Sequence, residues 1–178
     1  MNILLEREHY ITIWKVSFLT ILSCGYACFR GYYDLAFIVI GVFFTSINYW
    51  RKPDYSWRRY LDMFYVKIAM IYQIIRAYNA KNSTLFYSLL FVSVAFYPIG
   101  VYFYKNGHYW LSTYSHCMLH IMANISNVVL YSGVITPFVT QHIFYVFYTI
   151  NGVCIIISIT NFAHNLFLHD YDLLKTSK

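Results

Sequence analysis

His116 and His120 stand four residues apart in the stretch YSHCMLHIMANISN, residues 114–127, which is otherwise mostly apolar. On a helix that spacing puts both imidazoles on one face. A histidine pair at this spacing can hold one metal ion, as H-E-x-x-H helices hold zinc. Two ligands do not complete such a site: a third is needed, with an open position for water if the metal is to do chemistry. His164 or Asp62 can supply the third donor. The Asp62 carboxylate can instead orient a ligand histidine, or take a proton from metal-bound water. The same two histidines can also simply hydrogen-bond across helices and pin them together.

The elements that must position these residues are membrane helices. The chain has 178 residues, of which 60% are hydrophobic, 22% aromatic and 11% charged. A soluble domain carries roughly a quarter charged residues, so the solvent for this chain is lipid. Six apolar segments, near 12–29, 33–50, 61–78, 84–104, 110–133 and 143–164, each approach the ~20 residues that cross a ~30 Å hydrocarbon core. Lys67, Gln73 and Arg76 interrupt the third, which is expected to face its neighbours or to let its lysine stem reach the interface. Short connections predict one antiparallel all-α bundle over 1–178, a single domain. The first segment has Lys15 inside it and acidic residues before it, and reads as a retained helix rather than a signal peptide.

Charge sets the orientation. Arg7, Arg51, Lys52, Arg58, Arg59, Lys105, Lys175 and Lys178 share one side with both termini, whereas Arg30, Arg76 and Lys81 lie on the other. The positive-inside rule then places both termini in the cytoplasm. A net charge of +6 spread between apolar runs suits lipid headgroups and argues against nucleic acid. Cys24, Cys28, Cys117 and Cys154 all fall inside apolar runs and imply no disulfide framework. The many tyrosines, phenylalanines, isoleucines and asparagines are what an AT-rich, viral or protist, coding sequence would give.

Two polar stripes follow from helical spacing. Thr113, His116, His120, Asn124 and Asn127 line one face of the fifth segment. Asn151, Cys154, Ser158, Asn161 and Asn165 line the sixth, with His164 beside its end. At 1.5 Å per residue the two histidines lie roughly 9–15 Å below the cytoplasmic entrance. Ser46, Asp62 and His164 are expected at a similar level, so that all five converge in the cytoplasmic half. The connecting stretch INYWRKPDYSWRRYLD, residues 47–62, adds Trp50 and Trp57, which suit the interface, and Pro53, which ends a helix. Its Arg51, Lys52, Arg58 and Arg59 form a basic patch for anionic headgroups, or a phosphate-recognising rim above the polar pocket.

A Ser near the end of one helix, an Asp at the start of the next and a later H-x-x-x-H helix resemble the CREST superfamily, which includes alkaline ceramidases, progestin and adipoQ receptors and GPI-anchor-remodelling proteins. The matching positions are Ser46, Asp62, His116 and His120, and "SHCMLHIMAN" is similar in character to that family's last-helix motif. The loop with Trp50-Arg51 and Trp57-Arg58-Arg59 also resembles membrane proteins of giant viruses. The resemblance implies a zinc ion and hydrolysis of a lipid amide or ester. His116, His120 and His164 would then be the metal ligands, Asp62 a base or orienting group and Ser46 an aid to the oxyanion. The pattern departs from the family at residue 50, where Trp stands in the place of a zinc histidine. It also departs in helix number, and in the helix that follows the H-x-x-x-H segment. A lost ligand turns the same resemblance into a degenerate, non-enzymatic relative. Two other functions stand beside these: a small transporter or channel lined by the two stripes, and a structural or partner-binding membrane protein.

Overall fold

The computed structural model describes residues 5–136 and 141–176, with side chains for 5–136 and 145–165. Lys178 lies outside the described residues, and so does the side chain of Lys175. Every element is α-helical, with no strand among the described residues: α1 (Arg7–Ser17), α2 (Leu19–Phe29), α3 (Tyr33–Trp50), α4 (Trp57–Ala77), α5 (Ser83–Lys105), α6 (Tyr109–Ser132) and α7 (Gln141–Thr176). Four spans are long and apolar enough to cross a membrane: Arg7–Phe29, in which α1 and α2 run end to end, Tyr33–Trp50, Ser83–Lys105 and Tyr145–Asn165. The chain is therefore an integral membrane protein by length and composition. Helices α4 and α6 are as long but more polar. The first carries Arg58, Arg59, Asp62, Lys67 and Arg76, and the second the histidine stripe.

Local chemistry explains the breaks. Helix α2 ends at Gly31, whose φ of 76° is the left-handed conformation that glycine adopts without steric cost. The Gly31 N–H donates to Cys28 O, and the Tyr32 N–H to Ala27 O, which is the Schellman pattern. Helix α5 ends the same way at Gly107 (φ 78°), where the His108 N–H donates to Phe103 O. Between α1 and α2 there is neither Gly nor Pro. There the Ser17 hydroxyl donates to Ile13 O and the Phe18 N–H turns to Lys15 O; such back-bonding bends helices.

Helix α3 is the hub and packs on α1, α2, α4 and α7, while α6 packs on α5, α2 and α1. The main core joins Leu35, Ile38 and Val39 of α3 to Tyr65, Ala69 and Tyr72 of α4, Leu130 and Tyr131 of α6 and Cys154 of α7. Gly41 is where α3, α4 and α7 come closest, because a Cβ there would overlap the Tyr65 hydroxyl and Asn151 Oδ1. Lys67 turns outward from the middle of α4, whereas Gln73 and Arg76 are buried against the neighbouring helices.

One end of the bundle gathers Arg7, Trp50, Trp57, Lys105 and Tyr109; it is called the amino end below. The opposite end is locked by a buried ion pair. Arg76 Nε donates to Asp34 Oδ2 at 2.6 Å, the Tyr72 hydroxyl donates to the same oxygen at 2.9 Å, and Arg76 Nη1 donates to Thr136 O. Beside it, Asn82 Nδ2 donates to Val129 O and Ser132 Oγ.

Candidate functional site: a histidine pair under tryptophan

The α3–α4 turn comes first because it aims both Ser46 and Trp50. Pro53 ends α3 and the chain reverses over residues 51–56. Arg58 staples that reversal. Its Nη1 donates to Asn48 O, and its Nη2 to Lys52 O and, at 2.9 Å, to Asp54 Oδ2. The Ser56 hydroxyl donates to the other Asp54 oxygen. Burial alone would raise the Asp54 carboxyl. The Ser56 hydrogen bond and the Arg58 charge outweigh that and hold it below the usual carboxylate range.

With the turn fixed, α3 and α4 meet at Asp62. The Ser46 hydroxyl donates to Asp62 Oδ1 at 2.8 Å, and the Thr45 hydroxyl lies 3.0 Å from the same oxygen. All three residues are buried. No cation neutralises this carboxylate among the described residues; two hydroxyls from the facing helix hold it.

One turn beyond Ser46, the buried Trp50 lays its ring 4.5 Å from that of His116. His116 in turn stands 5.1 Å from His120, centroid to centroid. Ile13, Tyr49, Trp50 and Cys117 form a small apolar cluster here, with Trp14 packed against it. His120 is 7% exposed, and its Nε2 is buried with no partner among the described residues. The helix spacing thus brings together Ser46 with Asp62, and His116 with His120, with Trp50 bridging from one pair's helix to the other pair's ring.

The remaining expected residues lie elsewhere. His164 is exposed on the outside of α7, although Asn151, Cys154 and Ser158 of that helix are buried as the stripe requires. Among the described residues no three His, Cys, Asp or Glu side chains form a group that could hold a metal ion. The basic patch is also divided. Arg58 is 8% exposed and spent on the loop, and Arg51 bonds Asn161 Oδ1 and Phe162 O of α7. Lys52 faces outward, and Arg59 lies over the Tyr55 ring at 4.8 Å.

No protein-family model, no curated protein and no solved structure matches this chain. Its site must be judged on its own geometry.

Four of the ten stripe residues, Thr113, Asn124, Asn151 and Asn161, are tied across helices. Ser23 Oγ lies 2.6 Å from Asn124 Oδ1, and Asn124 Nδ2 reaches Thr20 Oγ1 and His120 O. Asn151 Nδ2 donates to Phe37 O at 2.6 Å. Two features escaped the sequence reading. His9 is buried against α6, with its Nδ1 3.1 Å from Thr113 Oγ1; an acidic, polar flank hides it. Asp34 meets Arg76 from 42 residues away, which no local spacing signals.

Proposed function

We propose that this chain is a six-crossing membrane protein with both termini in the cytoplasm, in which a CREST-like polar interior has become a helix-fastening core without catalysis. The observation that carries this reading is the Trp50 ring packed on His116 one turn beyond the Ser46–Asp62 hydrogen bond. In the resembling family, that position supplies a metal-binding histidine. Here it supplies an apolar lid. A catalytic zinc needs three protein ligands and an open position. This core offers two imidazoles, one of them packed on an indole, and Asp62 Oδ1 is already engaged by Ser46 and Thr45. The interhelical bonds of Asn124 and Asn151 support a packing role, since such contacts hold helices together in lipid, where no hydrophobic force does. With Arg76 paired and buried, Arg30 and Lys81 remain to oppose Arg7, Lys52, Arg59 and Lys105. The inequality favours the amino end as the cytoplasmic one.

Metal analysis by mass spectrometry tests the reading. Detergent-purified protein is expected to hold no stoichiometric zinc. About one zinc per chain, lost in a His116→Ala/His120→Ala variant, would restore the lipid hydrolase.

A transport function is favoured by a different observation. Asn48, Asn151 and Ser158 each have buried polar atoms without a partner. Gly41 faces Asn151 and Arg51 faces Asn161, so the parallel register of α3 and α7 brings Asn48 level with Ser158. Cys154 lies on the same α7 face and reports on water there. In a chain with Cys24, Cys28 and Cys117 changed to Ser, rapid labelling of Cys154 by a charged thiol reagent would support a hydrated path. Protection would leave the seam as packing.

A further inference from the structure

A cavity of about 440 Å³ opens at the amino end between the start of α1 and the α5–α6 turn. Its size falls in the range of small-molecule sites. Its level in the bilayer is set by the spans around it. Arg7 begins the first apolar span, Lys105 ends another one residue past Tyr104, and Tyr109 begins α6. That is headgroup depth.

The lining is an ordered mixture of charge and aromatic surface: Glu6, Arg7, His9, Tyr10, Tyr104 and Tyr109. His9 is 5% exposed, its ring 4.3 Å from that of Trp110. The Thr113 hydroxyl has one proton, and that proton goes to Tyr109 O at 2.9 Å. With that proton engaged, the 3.1 Å contact between Thr113 Oγ1 and His9 Nδ1 suits the tautomer that carries its hydrogen on Nδ1. In the neutral ring this leaves Nε2 as an acceptor with no partner among the described residues.

We propose that this cavity binds the phosphoethanolamine headgroup of a lipid in the same leaflet. The primary ammonium donates to His9 Nε2 and to the Glu6 carboxylate, with the tyrosine rings offering their negative faces. The Arg7 guanidinium takes the phosphate, whose geometry its fork matches. A quaternary choline cannot donate to Nε2, and an anionic glycerol headgroup leaves Glu6 unopposed.

The test is native mass spectrometry of the full chain released from nanodiscs of phosphatidylethanolamine with phosphatidylcholine or phosphatidylglycerol. One phosphatidylethanolamine should be retained in preference to either competitor. Arg7→Gln and Glu6→Gln change exposed side chains and leave the bundle's unfolding temperature unmoved; each should cut that preference by about tenfold, the loss of one charge-assisted contact. Soluble glycerophosphoethanolamine should displace the retained lipid. Equal retention of phosphatidylcholine or phosphatidylglycerol would overturn the proposal. So would unchanged retention in both variants, or a lipid that the soluble headgroup does not displace, since the acyl chains would then be what is recognised.

Discussion

The two ends of this bundle treat buried polarity in opposite ways. At the far end a charge is met by a charge: Arg76 reaches Asp34, and Tyr72 and a main-chain carbonyl complete the set. At the amino end the α3–α4 turn keeps one buried pair, Arg58 with Asp54, but inside it the polar groups are met by hydroxyls and rings. Asp62 is held by Ser46 and Thr45, and His116 stands between the Trp50 ring and His120. A full charge in a low-dielectric interior demands an opposite charge. A neutral imidazole demands much less and can be walled in by aromatic surface. The first arrangement fixes structure. The second walls uncharged polar groups in without pairing them.

The comparison can be broken most forcefully at the ion pair. Asp34→Asn leaves Arg76 buried and unopposed, and should lower unfolding free energy by about 3–5 kcal/mol. Chemical unfolding in detergent measures it, and Asp34→Asn/Arg76→Gln should recover part of the loss. Next in size, Gly41→Leu forces a side chain into the Tyr65 and Asn151 contact that joins α3, α4 and α7. Overpacking there should cost about 1–3 kcal/mol by the same assay. Asn124→Ala removes the interhelical contacts with Ser23 and Thr20 and should cost about 1 kcal/mol, such bonds averaging about 0.6 kcal/mol each in lipid. An effect as large as that of Asp34→Asn would erase the contrast between the two ends.

The smallest expected effect is one of pH at the α3–α4 turn. The Asp54 carboxyl titrates lower folded than unfolded, because the Ser56 and Arg58 contacts outweigh its burial. Its stabilisation is therefore fully present above the ordinary carboxylate value of about 3.9 and is lost as pH falls from there through the lower folded value. Unfolding temperatures across that window should fall more steeply for the wild type than for Asp54→Asn.

The helices were largely legible in the apolar runs. The expected 33–50 coincides with α3, and 84–104 and 110–133 fall within a residue of α5 and α6. The misses have local causes. Helix α4 begins at Trp57 rather than 61, because Trp57-Arg58-Arg59 is helical yet too polar to extend an apolar run. The break at Phe18 has no Gly or Pro to announce it. Helix α7 runs on to Thr176, well past its apolar stretch. At the site, periodicity correctly turned Thr113, His120, Asn151 and Ser158 inward. It could not say that His164 faces out, since one residue's azimuth at a helix end is weakly set by pattern. Nor could it see that Arg51 and Arg58 fold back into the protein, because half of their partners, the Phe162, Asn48 and Lys52 carbonyls, are main-chain groups that any sequence supplies. The contact of Trp50 with His116, from a different helix, needed the fold.

The central claim is that Trp50 stands where a third ligand would stand. A calorimetric zinc titration of the wild type and of Trp50→His, in the same detergent, tests it most directly. The account predicts no saturable site in the wild type and one site per chain in Trp50→His. A saturable zinc site in the wild type that His116→Ala/His120→Ala abolishes would contradict it.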